Sequence, residues 1–186
     1  MRLFVAIELT AGVRASLETL IGELRPKVPG VKWVRASNLH LTLKFLGETP
    51  NDKLSEVIKA LEAVRSEEAV HVDVRGTGFF PNAKRGRVFW AGVEASANLV
   101  RLAGAVDEAM GSVGFPREEH GYTPHLTLAR SGRVPFPAAL AEESGKNARR
   151  EFGTIMAREF RLIESRLKAG GAEYTTVQQF QFATEF

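Results

Sequence analysis

Four residues, His40-Leu41-Thr42-Leu43, recur unchanged as His125-Leu126-Thr127-Leu128. On an extended strand side chains alternate faces with period two, so the histidine and threonine of each copy point one way and the leucines the other. A chain that carries this pattern twice has two strands with one face for a core and one face for chemistry. Set together, they bring two imidazoles and two hydroxyls to one pocket, a set suited to acid–base work on an anionic group.

The copies lie 125 − 40 = 85 positions apart, and the same offset relates other elements. Leu3-Phe4 and Ala6 align with Val88-Phe89 and Ala91, Leu17 and Ile21 with Leu102 and Val106, and Gly47 and Pro50 with Gly132 and Pro135. The order strand, helix, motif strand, helix, strand therefore occurs twice. A shared offset across five elements predicts a single domain of two similar lobes, at roughly 1–85 and 86–186, related by a pseudo-twofold with a ligand cleft between them.

Local patterns place the pieces. Residues 3–9 read as a buried strand, and Thr10 caps a helix whose Val13, Leu17, Leu20, Ile21 and Leu24 keep helical spacing. Residues 32–35 read as a short strand and 39–46 as the first motif strand. After Pro50 an amphipathic helix carries Leu54, Val57, Ile58, Leu61 and Val64. Residues 70–74 alternate as a strand with His71 and Asp73 on the solvent side, and 76–87 read as a glycine-bounded connection holding Lys84, Arg85 and Arg87. Then come a strand at 88–93, a helix at 95–113, a polar loop with His120, the second motif strand at 124–130, a helix at 138–148 and two long strands, 156–167 and 172–182.

Composition narrows the classes. A hydrophobic fraction of 44% with 25% charged residues is that of a folded globular protein. No cysteine is present, which excludes disulfides, thiol nucleophiles and cysteine-ligated metals and fits the reducing cytoplasm. The apolar run at the N-terminus is too short for a signal-peptide core, and no run approaches the roughly 20 apolar residues of a membrane span, so no membrane partner is expected. A net charge of +3 tolerates an anionic substrate without specifying one.

Two histidines can divide labour, one neutral and taking a proton, the other charged and giving one. A threonine two residues on lies on the same face and can donate to a phosphate oxygen where negative charge develops. The set suits metal-free cleavage of a phosphodiester, in which a base activates water and an acid protonates the departing alkoxide. A metal site would need His71, His120 or distant carboxylates, because neither motif supplies a second ligand at metal spacing. Attack by Thr42 or Thr127 is conceivable, yet parallel side chains at i and i+2 suit two contacts to one ligand better than a proton hand-over.

The motif pair, with its flanks Asn38-Leu39-His40-Leu41-Thr42-Leu43-Lys44-Phe45-Leu46-Gly47 and Pro124-His125-Leu126-Thr127-Leu128-Ala129-Arg130, resembles the signature of the 2H phosphoesterase superfamily. Within it the resemblance is to the branch of RNA 2′,3′-cyclic phosphodiesterases, also called 2′-5′ RNA ligases. Arg2-Leu3-Phe4-Val5-Ala6 and Gly171-Ala172-Glu173-Tyr174 are similar as well, so the resemblance spans the chain. It implies a bilobal α+β fold, with antiparallel sheets lining a central cleft and helices outside. It also implies hydrolysis of a terminal 2′,3′-cyclic phosphate to a 2′-phosphomonoester, with 2′-5′ ligation as a reverse or side activity. His40 would be the acid, His125 the base, and Thr42 and Thr127 would hold the phosphate. The implied partner is RNA with a 2′,3′-cyclic phosphate end, such as a tRNA half, and a monomer with neither metal nor cofactor is expected.

Around that core, Arg130 is a phosphate-binding candidate by resemblance, although five residues beyond His125 a regular strand turns it away and only a bulge brings it back. Lys44, four beyond His40, has the parity to face the site. Phe4, Phe80, Trp90 and Tyr174 are candidates to stack on a terminal base. Two other functions fit the same residues: an RNA-end-binding module without chemistry, and a phosphodiesterase for small cyclic nucleotides.

Overall fold

The computed structural model describes residues 1–66 and 68–182; the last four positions of the second repeat lie outside the described residues. The first strand, β1 (Arg2–Glu8), is buried along its whole middle, so both its faces are covered. Leu3, Val5 and Ile7 enter the main core, whereas Phe4 and Ala6 form a small second cluster with Ile163, against which Tyr174 packs. Thr10 caps α1 (Ala11–Leu24), its hydroxyl accepting from the Val13 amide, and α1 buries the five apolar residues that keep helical spacing. The first motif strand is β2 (His40–Glu48). It is followed by α2 (Leu54–Glu62), β3 (Val70–Phe80), β4 (Val88–Ala95) and α3 (Ala97–Ser112). The second motif strand, β5 (His125–Arg130), leads into α4 (Ala138–Lys146), β6 (Glu151–Ala157), β7 (Glu159–Lys168) and β8 (Gly171–Gln181).

The strands form two four-stranded antiparallel sheets, in the orders β2-β1-β7-β8 and β5-β4-β3-β6. Each motif strand is therefore an edge strand, and its inner neighbour is the strand that opens its repeat. That equivalence is the pseudo-twofold expected from the 85-residue offset. The four α-helices of the described residues pack against the sheets, and one continuous apolar cluster joins both lobes, with Leu17, Leu20, Leu99, Leu102 and Val106 from helices meeting Leu41, Phe89 and Leu126 from strands. No helix among the described residues is long and apolar enough to cross a membrane.

Three local readings are corrected. Residues 156–167 are not one strand: the chain passes between sheets at Arg158, where β6, paired with β3, gives way to β7, paired with β1. Buried positions step from Ile155 and Ala157 to Phe160 and Leu162, so the alternation slips by one residue at Arg158 and Glu159, and such a slip reads as a bulge within one strand as readily as a change of sheet. Residues 76–80 continue β3 rather than opening a connection. Gly76 sits in a register shift of that strand at φ 72°, and a Cβ there would lie 2.6 Å from the Ala148 carbonyl oxygen, so the glycine makes a bulge against a neighbouring backbone. Residues 32–35 make only a single bridge, Trp33 to Ala129, with the Val34 amide donating to the Leu128 carbonyl.

Candidate active site

Each motif strand begins in strict alternation: Leu41 and Leu126 are buried, His40, Thr42, His125 and Thr127 half-buried. Both strands then break it. In β2 the partners of β1 run from Thr42 to Lys44, skipping Leu43; in β5 the partners of β4 run from Thr127 to Ala129, skipping Leu128. The skipped positions differ by 128 − 43 = 85, so the same bulge occurs at the same place in both repeats. A bulge puts two successive side chains on one face and reverses the parity of everything beyond it.

Two consequences follow for the predicted residues. Arg130 is turned into the cleft, where Phe45, its counterpart at the 85-residue offset, also points and is 58% exposed. Lys44 is turned out of the site, contrary to its expected parity, and is only 3% exposed. Its ammonium donates to Asp107 Oδ1 at 2.6 Å and to the Pro116 carbonyl at 2.8 Å, with Glu118 at 3.6 Å. It thus ties β2 to α3 and to the segment that leads into β5. Tyr122 reinforces the tie, its hydroxyl donating to the Thr42 carbonyl at 2.8 Å.

The cleft encloses about 560 Å³. His40, Thr42, Thr127 and Arg130 supply its chemistry; Phe4, Phe45 and Tyr174 supply apolar wall, and Arg2 adds a second cation. The His40 ring packs 4.6 Å from Phe4 and 5.4 Å from Tyr174. His125 stands on the neighbouring sheet with its ring edge-on to Phe80 at 4.9 Å, and Phe80 in turn lies 5.5 Å from Trp90. Trp90 is seated on the backbone of Gly78, where an added Cβ would come within 2.4 Å of the indole. Its buried Nε1 has no hydrogen-bond partner among the described residues.

The two imidazoles are held alike. His40 Nδ1 lies 2.7 Å from the Asn38 carbonyl and His125 Nδ1 lies 2.9 Å from the Thr123 carbonyl, each two residues upstream. A carbonyl only accepts, so Nδ1 carries the hydrogen in both rings and Nε2 is left for a ligand. Burial pushes the His40 pKa down to about 4, against the Asn38 carbonyl and with help from the charges of Arg130 and Arg14. Burial also lowers that of His125, opposed by the Thr123 carbonyl and aided by Arg130. Arg130 therefore bears electrostatically on both rings, and without an anion both are neutral near pH 7.

Sequence reasoning missed Phe45 and Arg2. Phe45 was within reach: if a bulge is needed to bring Arg130 inward, the repeat demands the same bulge 85 residues earlier. His71 is exposed beside Asp73 at 3.8 Å and His120 is exposed on its loop. No three His, Asp or Glu side chains gather as metal ligands among the described residues.

Paired His-x-Thr strands on two pseudo-twofold-related sheets around a cleft define a 2H phosphoesterase fold. Residues 13–168 match the model of the 2′-5′ RNA ligase superfamily, and the chain belongs to that family. The RNA 2′,3′-cyclic phosphodiesterase of Archaeoglobus fulgidus is 35% identical over 97% of this chain and 100% of its own. The protein of the same name from Thermus thermophilus is 36% identical over 100% of this chain and 92% of its own. Among solved structures, TT0787 of Thermus thermophilus matches over the full length of both chains with a TM-score of 0.80 at 32% identity. Escherichia coli LigT complexed with 3′-AMP matches over 98% of each chain with a TM-score of 0.78 at 25% identity.

Proposed function

We propose that this protein hydrolyses the 2′,3′-cyclic phosphate at an RNA end, tRNA halves among them, to a 2′-phosphomonoester. The observation that carries the reading is that Arg130 lines the cleft with His40, Thr42 and Thr127 and its charge bears on both imidazoles, whose Nε2 atoms make no hydrogen bond among the described residues, so that an anion drawn to that guanidinium would meet them. The names of the full-length relatives point the same way.

In this scheme the bound phosphodiester, a monoanion, raises the affinity of the neighbouring imidazoles for protons and so loads the acid that the empty cleft keeps neutral. His125 takes a proton from water as its oxygen attacks phosphorus. The bond from phosphorus to O3′ breaks, and His40 delivers a proton to that oxygen. Thr42 and Thr127 donate hydrogen bonds to the non-bridging oxygens, where charge accumulates. If the 5′ hydroxyl of a second RNA replaces water, the same exchange yields a 2′-5′ phosphodiester. The scheme assigns no step to a metal ion and draws both motif strands from one chain, so the working unit is a monomer. A cysteine-free chain suits the reducing cytoplasm, where we place the protein.

The test is a short RNA ending in a 2′,3′-cyclic phosphate, incubated with chelator and followed by phosphorus NMR. Accumulation of the 2′-phosphomonoester is expected. Absence of turnover, a 3′-phosphomonoester product or loss of activity on chelation would each overturn the scheme.

A further inference from the structure

The turn between β3 and β4 carries Lys84, Arg85 and Arg87, and no acidic residue occurs anywhere in 76–93 or 125–137. Arg130 and Arg133 bring the cations of this surface to five, all exposed, and none of the five forms an ion pair among the described residues. Elsewhere the protein pairs its charges freely, as Arg150 with Glu23 and Lys168 with Glu173 show. A set of clustered, unneutralised cations is the electrostatic footprint of a polyanion.

The surface is continuous with the candidate active site. Phe80, against the His125 ring, accepts through its carbonyl from the Arg87 amide at 2.7 Å. The Arg87 carbonyl accepts from Ser131, the residue after Arg130, and the Arg87 side chain donates to the Gly132 carbonyl at 2.7 Å. The tip is also braced. Asn82 Oδ1 accepts from the amides of Lys84 and Arg85 at 3.1 and 3.0 Å. Gly86 is buried, with no room for a side chain beside Phe79, so the turn offers its charges at a small ordering cost.

We infer that the β3–β4 hairpin is the track for the RNA strand upstream of the reacting end, and that the enzyme distinguishes a polynucleotide from a mononucleotide by it. The inference rests on the proposed phosphodiesterase reading. Arg130 holds the reacting phosphate, while Lys84 and Arg85 meet backbone phosphates nearer the chain's interior. Single-strand contacts release about 0.7 counterion each, so two contacts are worth roughly tenfold in binding near physiological salt and about 1.4 in the slope of log affinity against log salt.

The experiment compares kcat/KM for an RNA oligonucleotide ending in a 2′,3′-cyclic phosphate with that for a 2′,3′-cyclic mononucleotide, across a potassium chloride series. Wild type and the Lys84→Ala, Arg85→Ala double variant are both measured. The oligonucleotide is expected to be the better substrate; the variant loses about tenfold on it and about 1.4 of its salt slope, while turnover of the mononucleotide is retained. Equal use of the two substrates by wild type, or an unchanged preference in the variant, would overturn the hairpin track. Failure to hydrolyse either substrate would instead overturn the phosphodiesterase reading.

Discussion

His40 and His125 are chemically equivalent in the sequence and unequal in the folded chain. Both are driven towards neutrality by burial and by the Arg130 charge, and His40 more so, to about 4. The pH dependence of kcat/KM reports the free enzyme, which needs one ring charged and one neutral. Because both values lie below the ordinary histidine value of about 6.5, kcat/KM should peak on the acid side of that value and fall as pH rises through neutrality. The profile of kcat, which reports the occupied site, should be displaced to higher pH, since the bound phosphate favours imidazolium. Coincident profiles, or a kcat/KM maximum above neutrality, would contradict the assigned charges. Of the residues around these histidines, the first pair of each motif strand was legible from alternation alone. Lys44, Phe45 and Arg130 lie past a bulge, where parity reverses, and nothing in a period-two pattern announces the inserted residue.

At the level of elements, the shared bulge makes the two edge strands into a site. Without it Lys44 would face the cleft and Arg130 would face away. The displaced Lys44 becomes a structural tie to Asp107 and Pro116, beside the Tyr122 bond to the Thr42 carbonyl. Tyr122→Phe removes one part-buried hydrogen bond, worth about 1 kcal/mol, which for a chain of this length is about 2–4 °C in Tm. Because the lost bond anchors the strand that bears His40 and Thr42, kcat should fall with KM little changed. An unaltered Tm and kcat would show that the tie positions nothing. The break at Arg158 was illegible for a different reason: the alternation of buried positions slips there by one residue, from Ala157 to Phe160, as it would at a bulge, while the hydrogen-bonding partner changes.

For the whole molecule, the repeat and the sheets do not divide the chain in the same way. β3, from the first half, lies inside the second sheet between β4 and β6, whereas β7 and β8, from the second half, complete the first. The 85-residue offset predicts two equivalent halves but carries no sign of this exchange, in which the first half gives one strand, β3, and the second gives two, β7 and β8. A fragment comprising residues 1–85 would leave β1 without β7 and β3 without either neighbour, with much of the common core open to water. That fragment should show no cooperative unfolding by circular dichroism, whereas the full chain should unfold in one transition seen alike in the far and near ultraviolet. A cooperatively folding fragment would contradict an interlocked pair of lobes.

The central claim is that the two His-x-Thr faces act as one site. It is tested most directly by a double-mutant cycle on a 2′,3′-cyclic-phosphate-ended RNA, comparing His40→Ala, His125→Ala and the double variant. Each single change should lower kcat by about 10²–10⁴-fold, and the double variant should lose little beyond the worse single, since residues that act in one step fail together. Near-wild-type turnover in either single variant, or losses that multiply in the double, would contradict it.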